Sequence, residues 1–421
     1  MVVRQLADDR DGGLATGGLS HLCPLHGLCI YRPPSPHRGA LHPPAGGFRV
    51  PEGEGWGSFA LRSPAKRGGA GWGEDKATGT TTMRAAVFHE PGRWQVEQRH
   101  TPAAGPGQVL VRVQAAGVCR TDTHIFHGKF PASFPRVLGH EYSGIVEQVG
   151  EGVAHVSPGA PVSIDPVIPC EVCDYCRRSK PHLCKDLKAL GIDFDGGFAT
   201  HCVVPAENAY AVPEGVTPEE AALAEPLACC LHGIDLAPIA PGDGVAIIGA
   251  GWIGLLMLQL ARLSGAGRVV VSEKLPGRMK LAQDLGADEV VDANQADALD
   301  RIRGSLGGGA DLAMECVGSA LSSKQALQLV RDGGTVLIFG VAPQEDTITV
   351  NPYEVYRREI TIIGSFSTPK KQAAALSLLA SQRVKVDPLI TGRFDLEGTG
   401  DAMRALESSR AVKSLIIPTS P

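Results

Sequence analysis

The pattern of apolar and polar positions changes twice along the chain. From residue 83 to about 227, short apolar runs stand between turns rich in glycine and proline, and they predict strands such as Val109–Val113, Ser143–Val149 and Pro161–Ile164. Many short strands separated by such turns are typical of an all-β unit. We therefore expect a small β-barrel in this part of the chain.

From about residue 240, apolar strands alternate with helical stretches. This alternation predicts a parallel, doubly wound sheet of the α/β class. The last part of the chain opens with a helix rich in alanine and leucine at Gln372–Leu379. The predicted strands are Val245–Ile248, Arg268–Ser272, Asp288–Val291, Asp311–Glu315 and Thr335–Phe339, and the predicted helices lie near 252–264, 276–285, 297–303 and 319–330.

The first 82 residues carry no such pattern. Glycine and proline make up 24 of these 82 residues, against 59 of the remaining 339. A segment of this composition buries too little apolar surface to fold, so residues 1–82 are predicted to be a disordered extension or an artefact of the translation start. Cys23, Cys29 and the four histidines of this segment are irregularly spaced and predict no metal site.

Composition narrows the choice of partners. The net charge is −5, which argues against nucleic acid or an anionic membrane as the main partner. The first twenty residues contain no apolar signal segment, so a cytoplasmic location is expected. The longest apolar stretch, Val245–Ala261, contains three glycines and spans only 17 residues, which is short for a membrane helix. Eleven cysteines, an odd number, argue against a disulfide framework.

A glycine-rich turn follows the first strand of the α/β part. The sequence GAGWIG at 249–254 stands between an apolar strand and an apolar helix, which is the context that a dinucleotide-binding turn requires. Its glycines permit a tight turn, close approach of a diphosphate and close helix packing, and the helix N-terminus attracts the phosphates. The candidate cofactor-binding residues are Gly249, Gly251, Trp252, Ile253, Gly254, Glu273 and Arg278.

Glu273 predicts which dinucleotide binds. It ends the second strand, 19 residues past Gly254, where a carboxylate binds the adenosine ribose hydroxyls. A carboxylate at this position repels a 2′-phosphate, so NAD is favoured over NADP. Lys274 and Arg278 lie close enough in sequence to weaken this preference.

Four cysteines with the spacing C-x2-C-x2-C-x7-C predict a structural metal site. Four thiolates close a tetrahedral shell around zinc and leave no position open. The last gap of seven residues, with no proline after it, disfavours an iron–sulfur cluster. The ligands are Cys170, Cys173, Cys176 and Cys184. The other cysteines of the folded part, Cys202, Cys229, Cys230 and Cys316, are interpreted as ordinary small buried residues.

A second group of metal-binding residue types is dispersed along the chain. Cys119 follows a predicted strand, Gly139-His140-Glu141 follows about twenty residues later, and Glu225 opens the sequence Glu-Pro-Leu. A cysteine, a histidine and a carboxylate form a mixed shell that suits zinc and leaves one position for substrate.

Five motifs follow one another along the chain: the Cys119 segment, Gly139-His140-Glu141, the four cysteines, the Glu-Pro-Leu that begins at Glu225, and the 249–254 turn. Their order closely resembles that in the zinc-containing medium-chain alcohol and polyol dehydrogenases, in particular the sorbitol and threonine dehydrogenase branch. The resemblance covers nearly all of 83–421. It implies a GroES-like β-barrel catalytic domain at 83–227, a Rossmann NAD-binding domain at 228–367, and a return to the catalytic domain at 368–421. It also implies an alcohol substrate, a homo-oligomer (a tetramer or a dimer), and two zinc ions per chain, one catalytic and one structural.

Matching motifs carry the family's residue roles onto this chain. Cys119 and His140 are expected to bind the catalytic zinc, Glu141 is a third ligand or exchanges with water, and Glu225 is a carboxylate that faces this shell. Which of the two glutamates binds zinc directly stays open. Thr121 and His124 match the proton-relay positions, so a proton would leave the alcohol through them while hydride passes to NAD.

One departure from the family limits the substrate prediction. Sorbitol dehydrogenases carry an arginine after a phenylalanine in the stretch that resembles 362–366, and this chain has Ser367 there. A smaller or less hydroxylated secondary alcohol is therefore open beside polyols, and L-threonine 3-dehydrogenase-type activity is an alternative. Two further alternatives are a zinc-free quinone or enoyl reductase of the same fold and a non-catalytic NAD-binding zinc protein.

Overall fold

The computed structural model describes residues 81–418. The predicted extension at 1–82 lies outside the described residues except at its end, where the first strand begins at Thr82, one residue before Met83. Among the described residues, no helix combines the length and apolarity that a membrane crossing requires.

Eighteen strands and eleven α-helices are formed by the described part of the chain. The strands are β1 Thr82–Glu90, β2 Arg93–His100, β3 Gln108–Gly117, β4 Arg136–Val137, β5 Glu141–Val149, β6 Pro161–Ile164, β7 Val167–Ile168, β8 Lys188–Ala189, β9 His201–Pro205, β10 Ala209–Ala211, β11 Gly244–Ile248, β12 Arg268–Glu273, β13 Glu289–Asp292, β14 Ala310–Glu315, β15 Val330–Ile338, β16 Thr361–Gly364, β17 Ile390–Phe394 and β18 Lys413–Ile416. The helices are α1 Arg120–Phe126, α2 Asp174–Arg177, α3 Pro218–Ala222, α4 Ala224–Leu236, α5 Trp252–Leu263, α6 Pro276–Asp284, α7 Ala298–Ser305, α8 Ala320–Leu329, α9 Pro352–Arg358, α10 Gln372–Ala380 and α11 Thr399–Glu407.

The α/β part forms a six-stranded sheet in the order β13–β12–β11–β14–β15–β16, with every neighbouring pair parallel. Side chains of β11 and β12 such as Val245 and Val270 are fully buried, because helices cover both faces of a parallel sheet. The strand order reverses between β11 and β14. Ligands of doubly wound folds bind outside the carboxyl ends of the strands at such a switch point.

The predicted β-rich part forms a second, mixed sheet. Its order is β10–β6–β5–β3–β18–β17, with β9 also paired to β3, and a separate sheet has the order β2–β1–β4. β17 and β18 lie in the last part of the chain, and β18 pairs antiparallel with β3. The end of the chain thereby returns to the sheet that its first part builds.

Element boundaries agree with the predicted ones to within a few residues. β6 begins and ends as predicted, and α10 differs from its prediction by one residue. The largest difference is β15, which begins at Val330 instead of Thr335. Arg331, Asp332 and Gly333 are polar or small and exposed, so the apolar pattern does not reveal this part of the strand.

Candidate metal and dinucleotide sites

The four predicted zinc-binding cysteines come together on a lobe between β6 and β9. Cys173 Sγ lies 3.5 Å from Cys176 Sγ and 3.9 Å from Cys184 Sγ, and the sulfur atoms of all four, Cys170 included, lie within 4.8 Å of one another. Zinc–sulfur bonds of about 2.3 Å separate the ligands of a tetrahedral site by about 3.8 Å. The sulfur cluster therefore has the size that zinc requires.

The electrostatics of this cluster favour at least one thiolate. Hydrogen bonds from the backbone N–H groups of Cys176 and Lys185 lower the pKa of Cys173 to about 6. The thiolate is the form that binds metal. The backbone donors therefore stabilise the form of Cys173 that a metal cation requires.

Cys119 is the N-cap residue of α1. Asp122, three residues later, is fully buried and accepts a hydrogen bond from the Cys119 backbone N–H at 2.8 Å through Oδ2. Its Oδ1 lies 3.3 Å from His140 Nδ1. The two oxygens of one carboxylate thus contact both Cys119 and His140.

His140 is positioned by a glycine that no other residue could replace. Gly139 has a φ of +92°, and a Cβ atom there would lie 2.5 Å from the Phe198 ring. Burial acts to lower the pKa of His140, but the charges of Asp122 and Cys119 raise it, and the net result is a pKa well above the usual value. The site therefore has the negative potential that a metal cation needs.

Glu141 completes a candidate ligand group. Donor atoms of Cys119, His140 and Glu141 lie within 4.8 Å of one another, and within the described residues Glu225 is not part of this group. The Glu141 carboxylate is almost fully buried and forms an ion pair with Lys413.

Glu225 faces the same group from the first turn of α4. Its Oε1 accepts a contact from the Cys229 thiol at 3.4 Å. Burial raises the pKa of Glu225 to about 7; the charge of His140 opposes this shift, and that of Glu141 adds to it. Cys229 is half-buried and, as the donor to Glu225, is more than an ordinary packing residue, unlike the interpretation from its sequence context.

The two predicted relay residues lie on α1. Thr121 Oγ1 is 3.7 Å from Cys119 Sγ, which places the hydroxyl beside the candidate ligand group. His124 lies further along the helix, half-buried, and its ring makes no hydrogen bond within residues 81–418. Burial lowers the pKa of His124, and the charges of Arg120 and Lys129 lower it further. His127, the alternative relay residue, is engaged by Glu407 at 2.6 Å.

The 249–254 turn has the geometry of a dinucleotide site. Gly249 has a φ of +93°, and a Cβ atom on Gly254 would lie 1.8 Å from the Gly249 carbonyl oxygen. A Cβ on Gly251 would meet only the Arg278 guanidinium, 3.8 Å away, so the backbone is open to a ligand. Trp252 and Ile253 begin α5, and the N–H groups of its first turn are free to bind phosphate.

Glu273 is held against this turn by three backbone donors. Its Oε2 accepts from Ala250 N at 2.7 Å, and its Oε1 accepts from Lys274 N at 2.6 Å and from Leu275 N at 3.0 Å. The carboxylate is therefore fixed at the carboxyl end of β12, beside the switch point.

The Arg278 guanidinium also lies near this turn, 3.8 Å from a Cβ atom built on Gly251. Its Nη2 donates to the Ala411 carbonyl at 3.0 Å, and its Nε is buried with no hydrogen-bond partner in the described chain. Burial lowers its pKa, and the charge of Glu273 opposes this effect. A half-buried guanidinium with an unused buried donor fits a nearby anion such as a dinucleotide phosphate.

Three residues of this region were not singled out from the sequence. Asp122 could have been found from its position three residues after Cys119, where a carboxylate caps the helix. Arg120 acts electrostatically on both His124 and Arg278, and its place beside a candidate ligand was a usable signal. Lys413 had none, because an isolated lysine in an apolar strand has no motif around it.

Comparisons with known proteins agree with this geometry. Residues 105–214 match the alcohol dehydrogenase GroES-like domain, and residues 253–381 match the zinc-binding dehydrogenase domain. A sorbitol dehydrogenase of Halalkalibacterium halodurans is 34% identical over 343 residues, which cover 80% of this chain and 99% of that protein. An L-threonine 3-dehydrogenase of Thermococcus kodakarensis is 35% identical over 319 residues, which cover 74% of this chain and 90% of that protein.

A solved structure extends the similarity to the fold. A zinc-binding dehydrogenase from Sinorhizobium meliloti, bound to NADP, superposes with a TM-score of 0.78 at 40% identity, covering 80% of this chain and all of that one. The chain therefore belongs to the zinc-dependent medium-chain alcohol and polyol dehydrogenase family. The predicted family, the predicted fold of a Rossmann sheet with a GroES-like domain, and the predicted oxidoreductase class are confirmed.

Proposed function

We propose that this enzyme oxidises a secondary alcohol or a small polyol with NAD, using one catalytic and one structural zinc. The observation that carries the proposal is the group formed by Cys119, His140 and Glu141, whose donor atoms lie within 4.8 Å of one another. Three protein ligands leave one position of a four-coordinate zinc for substrate, whereas the four-cysteine lobe leaves none.

The two bound groups would each supply one kind of chemistry. Zinc at Cys119, His140 and Glu141 would supply a Lewis acid that lowers the pKa of an alcohol. NAD at the 249–254 turn would supply the hydride acceptor. The chain's own task is then to hold the alcohol and to remove its proton.

Thr121 and His124 are the residues we assign to the proton. The Thr121 hydroxyl stands beside Cys119 and would accept the proton of the substrate hydroxyl as it releases its own toward His124. His124, half-buried and without a competing hydrogen bond in the described chain, passes it to solvent. A lowered pKa keeps this imidazole neutral, and hence a proton acceptor, at neutral pH.

Glu273 supports NAD as the preferred dinucleotide, although the similar enzyme from Sinorhizobium meliloti was solved with NADP. Three backbone hydrogen bonds hold the carboxylate in place, so it cannot swing aside without leaving these donors unpaired. A fixed negative charge at the ribose position disfavours a 2′-phosphate.

The substrate is proposed at the level of a class. The relatives include enzymes named for sorbitol and for L-threonine, and Ser367 replaces the arginine that sorbitol dehydrogenases carry. A panel of secondary alcohols, polyols and L-threonine with NAD, followed at the NADH absorbance, decides among them, and metal analysis of the same preparation counts zinc. No turnover of any member, with two zinc ions bound, would favour the non-catalytic alternative.

We also propose a homo-oligomer, a dimer or tetramer, built on the edge of the parallel sheet. Within the described residues β16 pairs with β15 alone, and Tyr353, Tyr356 and Ile362 near this edge are 63%, 78% and 41% exposed. An open strand edge with exposed apolar side chains is suited to a second copy of the chain. Light scattering should find an oligomer that Ile362→Lys dissociates; a monomeric wild type would exclude it.

A further inference from the structure

Lys413 is a buried cation at the junction of the two sites. It begins β18, and its side chain is 2% exposed. The ammonium group contacts the Glu141 carboxylate, donates a hydrogen bond to the Val118 carbonyl at 3.0 Å, and stands 5.2 Å from the centroid of the Trp252 indole. It therefore touches a candidate metal ligand, the residue before Cys119, and the first residue of the dinucleotide helix.

The surroundings of this ion pair are shaped to admit it. A Cβ atom on Gly117 would lie 2.1 Å from Glu141 Oε2 and 3.1 Å from Lys413 Cε, so only glycine leaves room for both side chains. Burying a lysine is unfavourable unless it is paired and hydrogen-bonded. A carboxylate, a carbonyl and an aromatic face together meet that requirement.

The charges explain why a cation is needed here. Cys119, Glu141 and Glu225 all act on one small region, and the charge of Glu141 is felt by Glu225. Without Lys413, the Glu141 carboxylate would lose the ion pair that holds it beside the ligand group. With it, one oxygen of Glu141 is engaged by the ammonium, which leaves the other for the metal.

We propose that Lys413 is the positioning residue for Glu141: its ion pair aims this carboxylate so that the Cys119–His140–Glu141 group retains its metal. This inference rests on the proposed function, because it presumes that the group binds zinc. Lys413 acts through Glu141 and does not itself touch substrate.

The test compares zinc retention among four variants and the wild type. Lys413→Met removes the charge at nearly constant length, Lys413→Arg keeps it, Glu141→Gln removes its partner's charge, and a double variant combines Lys413→Met with Glu141→Gln. Arg393→Met is the matched control, because Arg393 on the neighbouring strand β17 forms its ion pairs with Glu219, at 2.7 Å, and with Asp387, neither of which is a proposed ligand. For each protein, zinc per chain, the rate of zinc release to EDTA, the melting temperature, and kcat and KM are measured.

In Lys413→Met we expect one of the two zinc ions to be released about 10- to 100-fold faster, as is typical when a residue supporting a metal ligand is lost. The other zinc ion should be released at the wild-type rate. In Arg393→Met, both zinc ions should be released at the wild-type rate. Lys413→Arg should retain both more firmly than Lys413→Met. The double variant should release zinc as Glu141→Gln does, because two residues that act through one another are not additive.

Wild-type zinc retention in a folded Lys413→Met variant would overturn the inference. If that variant does not fold, the double variant decides, because it removes both charges. Zinc release that is faster from the double variant than from Glu141→Gln would show that Lys413 acts independently of Glu141, which would overturn the inference. A wild-type chain that holds only one zinc would instead overturn the proposed catalytic metal site, and this inference with it.

Discussion

Replacing Glu273 by serine should convert the cofactor preference of this enzyme. The carboxylate accepts three backbone hydrogen bonds at 2.6–3.0 Å, and it stands where the adenosine ribose of NAD is expected. Losing a hydrogen bond to a charged group costs about 1.5–3 kcal/mol, which corresponds to a roughly 10- to 100-fold fall in kcat/KM for NAD. Serine also removes the repulsion of a 2′-phosphate, about 4 kcal/mol per charge pair at 4 Å and an effective dielectric constant of 20.

These two effects act in the same direction on the ratio of kcat/KM for NADP to that for NAD. Because salt screens the charge repulsion below the figure given above, we expect the ratio to rise by at least about 100-fold. Asp292→Ser is a matched control, because Asp292 ends the neighbouring strand β13 and caps its own loop through Asn294 N at 2.9 Å. The assay follows the absorbance of the reduced dinucleotide at varied NAD and NADP. An unchanged ratio in Glu273→Ser, or a wild type that already prefers NADP, would refute the reasoning.

Three further predictions concern the metals and the proton. Cys173→Ser should lower the melting temperature and the yield, because a structural zinc contributes folding free energy, whereas Cys119→Ser should abolish turnover in a folded protein; full activity with one zinc per chain would contradict this division. Thr121→Val should reduce kcat by about 10²–10⁴-fold. In His124→Gln the loss of kcat should stay at or below the low end of that range, because water can replace the outer relay residue. Equal losses of kcat in the two variants would argue against Thr121 as the inner and His124 as the outer relay residue. Burial lowers the pKa of His124, and the charges of Arg120 and Lys129 lower it further. Only the neutral ring accepts a proton, so Lys129→Gln, which raises this pKa, should move the rise of alcohol oxidation to higher pH. A pH profile of Lys129→Gln identical to wild type would exclude His124 from the relay.

Residues that are close in sequence to a motif were the ones that sequence reasoning could place. The glycines of 249–254, the four-cysteine spacing and the Cys119 segment carry their geometry in local order, because turns, caps and short loops set the positions of nearby side chains. The β11 and β12 strands were equally accessible, since burial on both faces produces continuous apolar runs.

Contacts between distant parts of the chain could not be predicted in this way. Lys413 meets the Val118 carbonyl across 295 residues, and neither its residue type nor its neighbours distinguish it from a surface lysine. Glu225 was predicted to face the zinc shell, but its distance from the ligand group depends on how α4 packs against the mixed sheet. The interaction of Cys229 with Glu225 follows from their spacing of four residues along a helix. Its effect on the candidate site, however, depends on the burial of Glu225, which the sequence does not show.

The return of the chain to the mixed sheet also sets an order for biosynthesis. Cys119, His140 and Glu141 leave the ribosome early, together with β3 and β5, but β18 pairs with β3 from the far end of the chain. During translation the N-terminal portion folds first, and for most of that time its sheet lacks β18 and the Glu141 carboxylate lacks its cation. A nascent chain that stops before residue 413 thus presents the three candidate ligand residues in an unfinished sheet, without the strand that carries Lys413.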